Sequence, residues 1–163
     1  MGEVASFLAT RIAERGHAIN VALVETAALL HDVDKALPPE DKRREHGHGY
    51  GGAIWAHDEG LDEIAAAIAD HPVGRLMDDG AYLPWAAWAT VEERVVAYAD
   101  KRAHQDVVSL AERFAEWIER HGASPEMDVA RERANELERQ ICEAAGIEPA
   151  DVQRNPWVAA ASA

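Results

Sequence analysis

Val21-Ala-Leu-Val-Glu-Thr-Ala-Ala-Leu-Leu30 is an apolar helical run that ends directly in His31-Asp32. At helical spacing His31 shares a face with Ala28, Ala27 and Val24, and Asp32 shares one with Leu29 and Ala28. Two ionisable side chains are thereby aimed along a stripe expected to face a core. A buried unpaired charge is expensive, so groups in such places take a partner or a metal. The arrangement recurs: His71 follows Ile64 and Ile68 at helical spacing, and Asp100 follows Val96 and precedes Ala103. Three apolar stripes, each interrupted by His or Asp, predict helices converging on one cation. The plain alternative is a buried polar cluster satisfied by hydrogen bonds alone.

Working outward, Val4, Phe7, Leu8 and Ile12 mark an amphipathic first helix ending near Gly16. Asn20 reads as the N-cap of the second, which stops between His31 and Lys35, before Pro38-Pro39. A polar stretch, Glu40 to Glu45, leads into His48 and the small-residue run Gly49-Tyr-Gly-Gly-Ala-Ile-Trp55. Asp62 to Asp70 forms another helix, stopped by Pro72, and Val73 to Ala89 reads as a structured loop because it carries Gly, Pro and Asp. Its aromatics Tyr82, Trp85 and Trp88 suit core plugs or a dimer contact better than a lid. Thr90-Val-Glu-Glu93 and Ser109-Leu-Ala-Glu112 are capping boxes opening two helices, the second carrying Leu110, Phe114, Trp117 and Ile118. Ser124-Pro125 opens a long last helix ending at Gly146. No strand-period alternation appears. The expectation is all-α: a single-domain helical bundle over residues 1–146 and a loose tail over 147–163.

Composition narrows the chemistry. With 163 residues and 48% hydrophobic content the chain suits one domain with a real core. Thirty acidic residues against 16 basic ones give a net charge of −14, which argues against a nucleic-acid groove. A bound divalent metal would still invert the local field for a small phosphate ester. Cys142 is the sole cysteine, so no disulfide framework or Cys-x-x-Cys site exists and a cytoplasmic setting is expected. Cys142 itself reads as inert, with no neighbour to lower its pKa. No signal peptide or membrane span is visible. His46, His57, His104 and His121 have no motif context and read as surface residues.

Four elements in order now carry a resemblance. Ala27-Ala-Leu-Leu-His-Asp-Val-Asp-Lys35 ends an apolar run in His-Asp, two residues and Lys; His48-Gly-Tyr-Gly-Gly-Ala53 is a His-x-x-x-Gly-Ala element. Ala67-Ile-Ala-Asp-His71 and Val95-Val-Ala-Tyr-Ala-Asp-Lys101 bring the next His and the last Asp. From about Val4 to Arg120 the chain resembles the HD-domain metal-dependent phosphohydrolases. That resemblance implies an HD-type helical core holding one or two divalent ions (Mn, Fe, Co, Ni, Zn or Mg). It implies His31, Asp32 and Asp100 as ligands of a first metal, and His48 and His71 as ligands of a second or of the substrate phosphate. Asp32, in a metal-bridging place, and Lys35 would be the catalytic residues, and Lys35 and Lys101 would neutralise phosphate oxygens. Lys35 has an equal local alternative as a partner of Asp32 or of the helix C-terminus, and His48 and His71 have one as caps or structural donors.

The pattern departs from the family in one place. The family's first His, aligned through Val4 to Ala9, falls at or ahead of Met1. His17 lies ~20 Å along the helix from Val4 and does not replace it. Either a ligand lies upstream or the site works with fewer. The expected function is hydrolysis of a small phosphorylated substrate, nucleotides included, by metal-activated water; a homodimer is compatible. The alternative is a non-catalytic nucleotide-sensing or scaffold module that keeps the HD fold.

Overall fold

Local signals fix most helix ends in the computed structural model, which describes residues 1–104 and 106–154. Helix α1 covers Gly2–Glu14 and α2 covers Val21–Leu30, opened by the Asn20 side chain accepting from the Leu23 N–H at 3.1 Å. A four-residue α3, Val33–Ala36, and a 3-10 turn, Lys42–His46, lead to α4, Tyr50–Asp58, and α5, Asp62–Ala69. Both capping boxes form. Thr90 opens α8, Val91–Arg102, and Ser109 opens α9, Leu110–His121, each hydroxyl accepting from the N3 amide while the N3 Glu answers the cap's own N–H. Ser124 caps α10, Pro125–Ala145, which ends in the left-handed Gly146 (φ +65).

Two expectations need correcting. The segment 73–89 is not a loop but two helices, α6 (Val73–Met77) and α7 (Asp79–Trp88). Asp78 caps the second by accepting from the Ala81 N–H at 2.7 Å, and Leu76 and Trp85 are buried, so capping and burial outweigh Gly74, Gly80 and Pro84. Nor does a tail begin at 147. Residues Pro149–Gln153 form α11, whose Val152 is fully buried, and Arg102 donates to the Pro149 carbonyl at 3.1 Å. The last residues, Trp157 among them, lie outside the described part.

Among the described residues there is no strand; the one β contact is an isolated bridge between Ala103 and Val107. Helix α8 is the axis of the bundle, with Val95 to Ala99 entirely enclosed. Around it pack α1, α2, α5 and α10, while α4 lies on α5. Arg102, 1% exposed, ties the C-terminal end of α8 to Val108, Glu138 and Pro149 through charge-assisted bonds. No described helix is long and apolar enough to cross a membrane.

Candidate metal centre

Helix α2 ends at Leu30 and α3 restarts at Val33, so His31 and Asp32 occupy a break between helices. The break splits their fates. His31 stays above the buried Val24–Ala27–Ala28 stripe, whereas Leu29, on the face expected for Asp32, is 78% exposed. Asp32 therefore stands at a rim, with its side chain 41% exposed. His71 follows the end of α5 and is completely buried. Asp100 comes from the last turn of α8, and His48 from the turn between Gly47 and Gly49.

These five side chains meet. The His31 Nε2 lies 3.5 Å from Asp32 Oδ2 and 3.7 Å from Asp100 Oδ1. The Asp32 Oδ1 lies 3.4 Å from His48 Nε2 and 3.8 Å from His71 Nε2, and those two nitrogens are 3.2 Å apart. They form two overlapping triads of potential ligand atoms, His31–His71–Asp100 and Asp32–His48–His71, each within 4.8 Å.

Every ring is held from behind. The Nδ1–H of His31 donates to the Ala28 carbonyl at 2.9 Å, and that of His71 to the Ile68 carbonyl at 2.6 Å. The His48 Nδ1–H donates to Asp34 Oδ2 at 3.0 Å. With Nδ1 donating in all three, each Nε2 turns a lone pair inward, the arrangement that metal-binding imidazoles take. Asp32 Oδ1 is enclosed, and the Lys35 ammonium, 2.7 Å away, is its ion-pair partner. Three inward lone pairs beside two carboxylates repel one another unless a cation lies among them. A proton could bridge one pair, whereas a metal ion answers all five groups. Mixed imidazole and carboxylate donors fit a divalent transition metal, so the residues present suit the ion the sequence implied.

The charges agree. Burial drives His31 toward its neutral form, against the pull of Asp32 and with the help of His71. Burial also pushes the Asp32 carboxyl up, but the Lys35 ammonium beside it holds it well below the usual carboxylate range. A neutral imidazole and an ionised carboxylate are the states that bind metal.

The two lysines part company. Lys35 is exposed at the rim, where it lines a cavity of about 230 Å³ with Asp34, Arg44 and His48. Lys101, expected at the phosphate, is wholly buried: its ammonium donates to the His71 carbonyl at 2.6 Å and to the Ala97 carbonyl at 3.0 Å. It braces His71 from behind and has no path to a substrate. Asp34 and Arg44 join the site although no motif singles them out as functional residues. Asp34 does carry a signal, since it follows Leu30 and Ala27 at helical spacing, whereas Arg44 lies in a polar stretch and carries none. A hollow of about 800 Å³ elsewhere, walled by Phe7 and Leu29 among others, holds no convergent ligand groups.

Comparison with known proteins gives the same frame. The chain is 34% identical over 112 residues to the uncharacterized protein MJ0778 of Methanocaldococcus jannaschii, covering 61% of this chain and 60% of that protein. No solved structure matches. The family model described as HD domain matches residues 3–105. That span takes in every residue of the cluster, from His31 to Asp100, and with it the chain belongs to the HD domain family.

Proposed function

We propose that this protein is a divalent-metal-dependent phosphohydrolase acting on a small phosphate ester, nucleotides included. The observation that carries the reading is the convergence of three imidazole Nε2 atoms, each fixed by an Nδ1 hydrogen bond, on Asp32 and Asp100. When bound, the metal supplies Lewis acidity at phosphoryl oxygen and a lowered pKa for coordinated water. His31, His48, His71, Asp32 and Asp100 would hold it, with one Asp32 oxygen near His31 and the other near His48. Asp32, depressed in pKa, stays ionised and keeps that place at neutral pH. Lys35, exposed on the rim and paired with Asp32, would release that carboxylate and pair with a substrate phosphate, and Arg44 across the same cavity would add a second cation. The complete burial of His71 keeps bulk water from the inner wall, and His31 beside it is only partly exposed. The single buried Cys142, its thiol pushed up to about 11 by burial, supports a redox-inert protein in a reducing, cytoplasmic setting.

The test is a panel of phosphate esters assayed with Mn, Fe, Co, Ni, Zn or Mg, with Asp32→Ala alongside. The expected outcome is metal-dependent release of phosphate that Asp32→Ala abolishes while the helical signal persists. Metal retention without turnover of any ester would instead favour a sensing or scaffold module.

A further inference from the structure

The buried carboxylate of Asp34 has no place in the ligand set, yet it is only 7% exposed. A carboxylate that far from water needs a partner. Its Oδ2 has one, the His48 Nδ1–H at 3.0 Å, while its enclosed Oδ1 accepts no hydrogen bond. The surroundings explain how it came to be covered. Gly51 and Gly52, in the first turn of α4, close over it: a Cβ on Gly51 would lie 3.4 Å from the Asp34 Cβ and 2.6 Å from the Arg43 carbonyl oxygen. A Cβ on Gly52 would lie 2.9 Å from Ile68 Cγ2 and 3.2 Å from Val33 Cγ1. Only a turn without side chains reaches this position.

His48 also differs from the other two imidazoles in what can hold it. His31 and His71 each donate to a carbonyl three residues back, a partner that their own helix end provides. His48 sits between Gly47 (φ +85) and Gly49 (φ +86), outside any helix, and its Nδ1 bonds no carbonyl. Its anchor comes from another element, and α3 delivers it.

The geometry points to Asp34 as the positioning residue of His48: it fixes the Nδ1–H tautomer and the ring's direction, so that Nε2 faces Asp32 and His71. A carboxylate behind the ring also makes Nε2 a stronger donor than a carbonyl would. The inference rests on the metal-centre reading for its consequence, but the tautomer exists without metal.

The experiment therefore has two arms. In metal-free, nitrogen-15-labelled protein, imidazole nitrogen correlations of His48 report which nitrogen carries the proton. The wild type is expected to show Nδ1–H, Asp34→Ala to lose that preference, and Asp34→Asn, whose amide oxygen still accepts, to retain it. In the second arm, Co binding by calorimetry is expected to weaken about 10–100-fold in Asp34→Ala and much less in Asp34→Asn. In a His48→Gln background, Asp34→Ala should cost nothing further, because the carboxylate acts through the ring. An unchanged His48 tautomer in a folded Asp34→Ala protein would overturn the inference, as would an equal loss of Co affinity with and without His48. Wild-type protein that takes up no Co would sink the metal-centre reading and leave the tautomer result to decide the role of Asp34.

Discussion

A histidine that ends an apolar stripe is held neutral by its own burial, and this gives His31 a pH signature. Its pKa lies below the ordinary 6.5 because desolvation outweighs the pull of Asp32. Between that lowered value and about 6.5 the unfolded chain binds a proton that the folded chain refuses. The contribution of His31 to the stability of the metal-free protein then rises with pH across that window and levels off above it. Asp32 has the same sign in a separate window: its depressed carboxyl contributes stability above the ordinary 3.8 and loses it as pH falls further. Urea midpoints measured between about pH 4 and pH 8 are expected to drop below pH 6.5, and His31→Asn should flatten that drop; an equally steep drop in the variant would remove His31 as its source. At this scale His31, Asp32, His71 and Asp100 were legible because ionisable groups on apolar stripes stand out in a sequence, whereas His48 entered through the resemblance alone. The burial of Asp34 was not legible, since it depends on a helix break after Leu30 and on two glycines that fold back from a turn further along the chain.

Helices announce themselves where their signals are local. Asn20, Thr90–Glu93, Ser109–Glu112 and Ser124–Pro125 are legible because each cap is a contact across three residues. Helices α6 and α7 were missed because burial decides them, with Leu76 and Trp85 enclosed and α6 packed on α10. Arg133 of α10 adds a bond to the Leu76 carbonyl at 2.9 Å. The same distinction predicts opposite signs for one substitution at two helical glycines. At Gly74 of α6 a Cβ meets nothing within 4 Å, so Gly74→Ala gains the usual ~0.4–1 kcal/mol from a stiffer unfolded chain. At Gly52 of α4 the new methyl meets buried Ile68 at 2.9 Å, and overpacking of ~1–3 kcal/mol exceeds the ~1 kcal/mol gained in helix propensity. Denaturant midpoints of the two variants should move in opposite directions. Two shifts of the same sign would mean that α4 yields where the packing says it cannot.

The cluster exists only in the folded molecule. His31 and Asp32 come from the end of α2, His48 from the turn before α4, His71 from the end of α5 and Asp100 from α8, elements that the unfolded chain does not bring together. An ion bound there stabilises the folded state by RT ln(1 + [L]/Kd), about 2.7 kcal/mol at a hundredfold excess over Kd. For a chain of this size that raises Tm by roughly 5–10 °C. The net charge of −14 supplies a competing cause, since any divalent cation relieves self-repulsion in so acidic a protein. The two causes separate by ion and by residue. General screening acts alike for Mg and Mn at equal concentration and survives loss of one carboxylate in thirty. A site of three imidazole nitrogens and two carboxylates would favour Mn, Co or Zn over Mg and would lose one of its carboxylates in Asp32→Ala. Scanning calorimetry with each ion is therefore expected to show a Tm that climbs with the logarithm of Mn or Co concentration, falls back on chelation, and climbs far less with Mg. Asp32→Ala should keep the small common rise and lose the rest; equal rises for all ions in both proteins would mean that charge alone is at work.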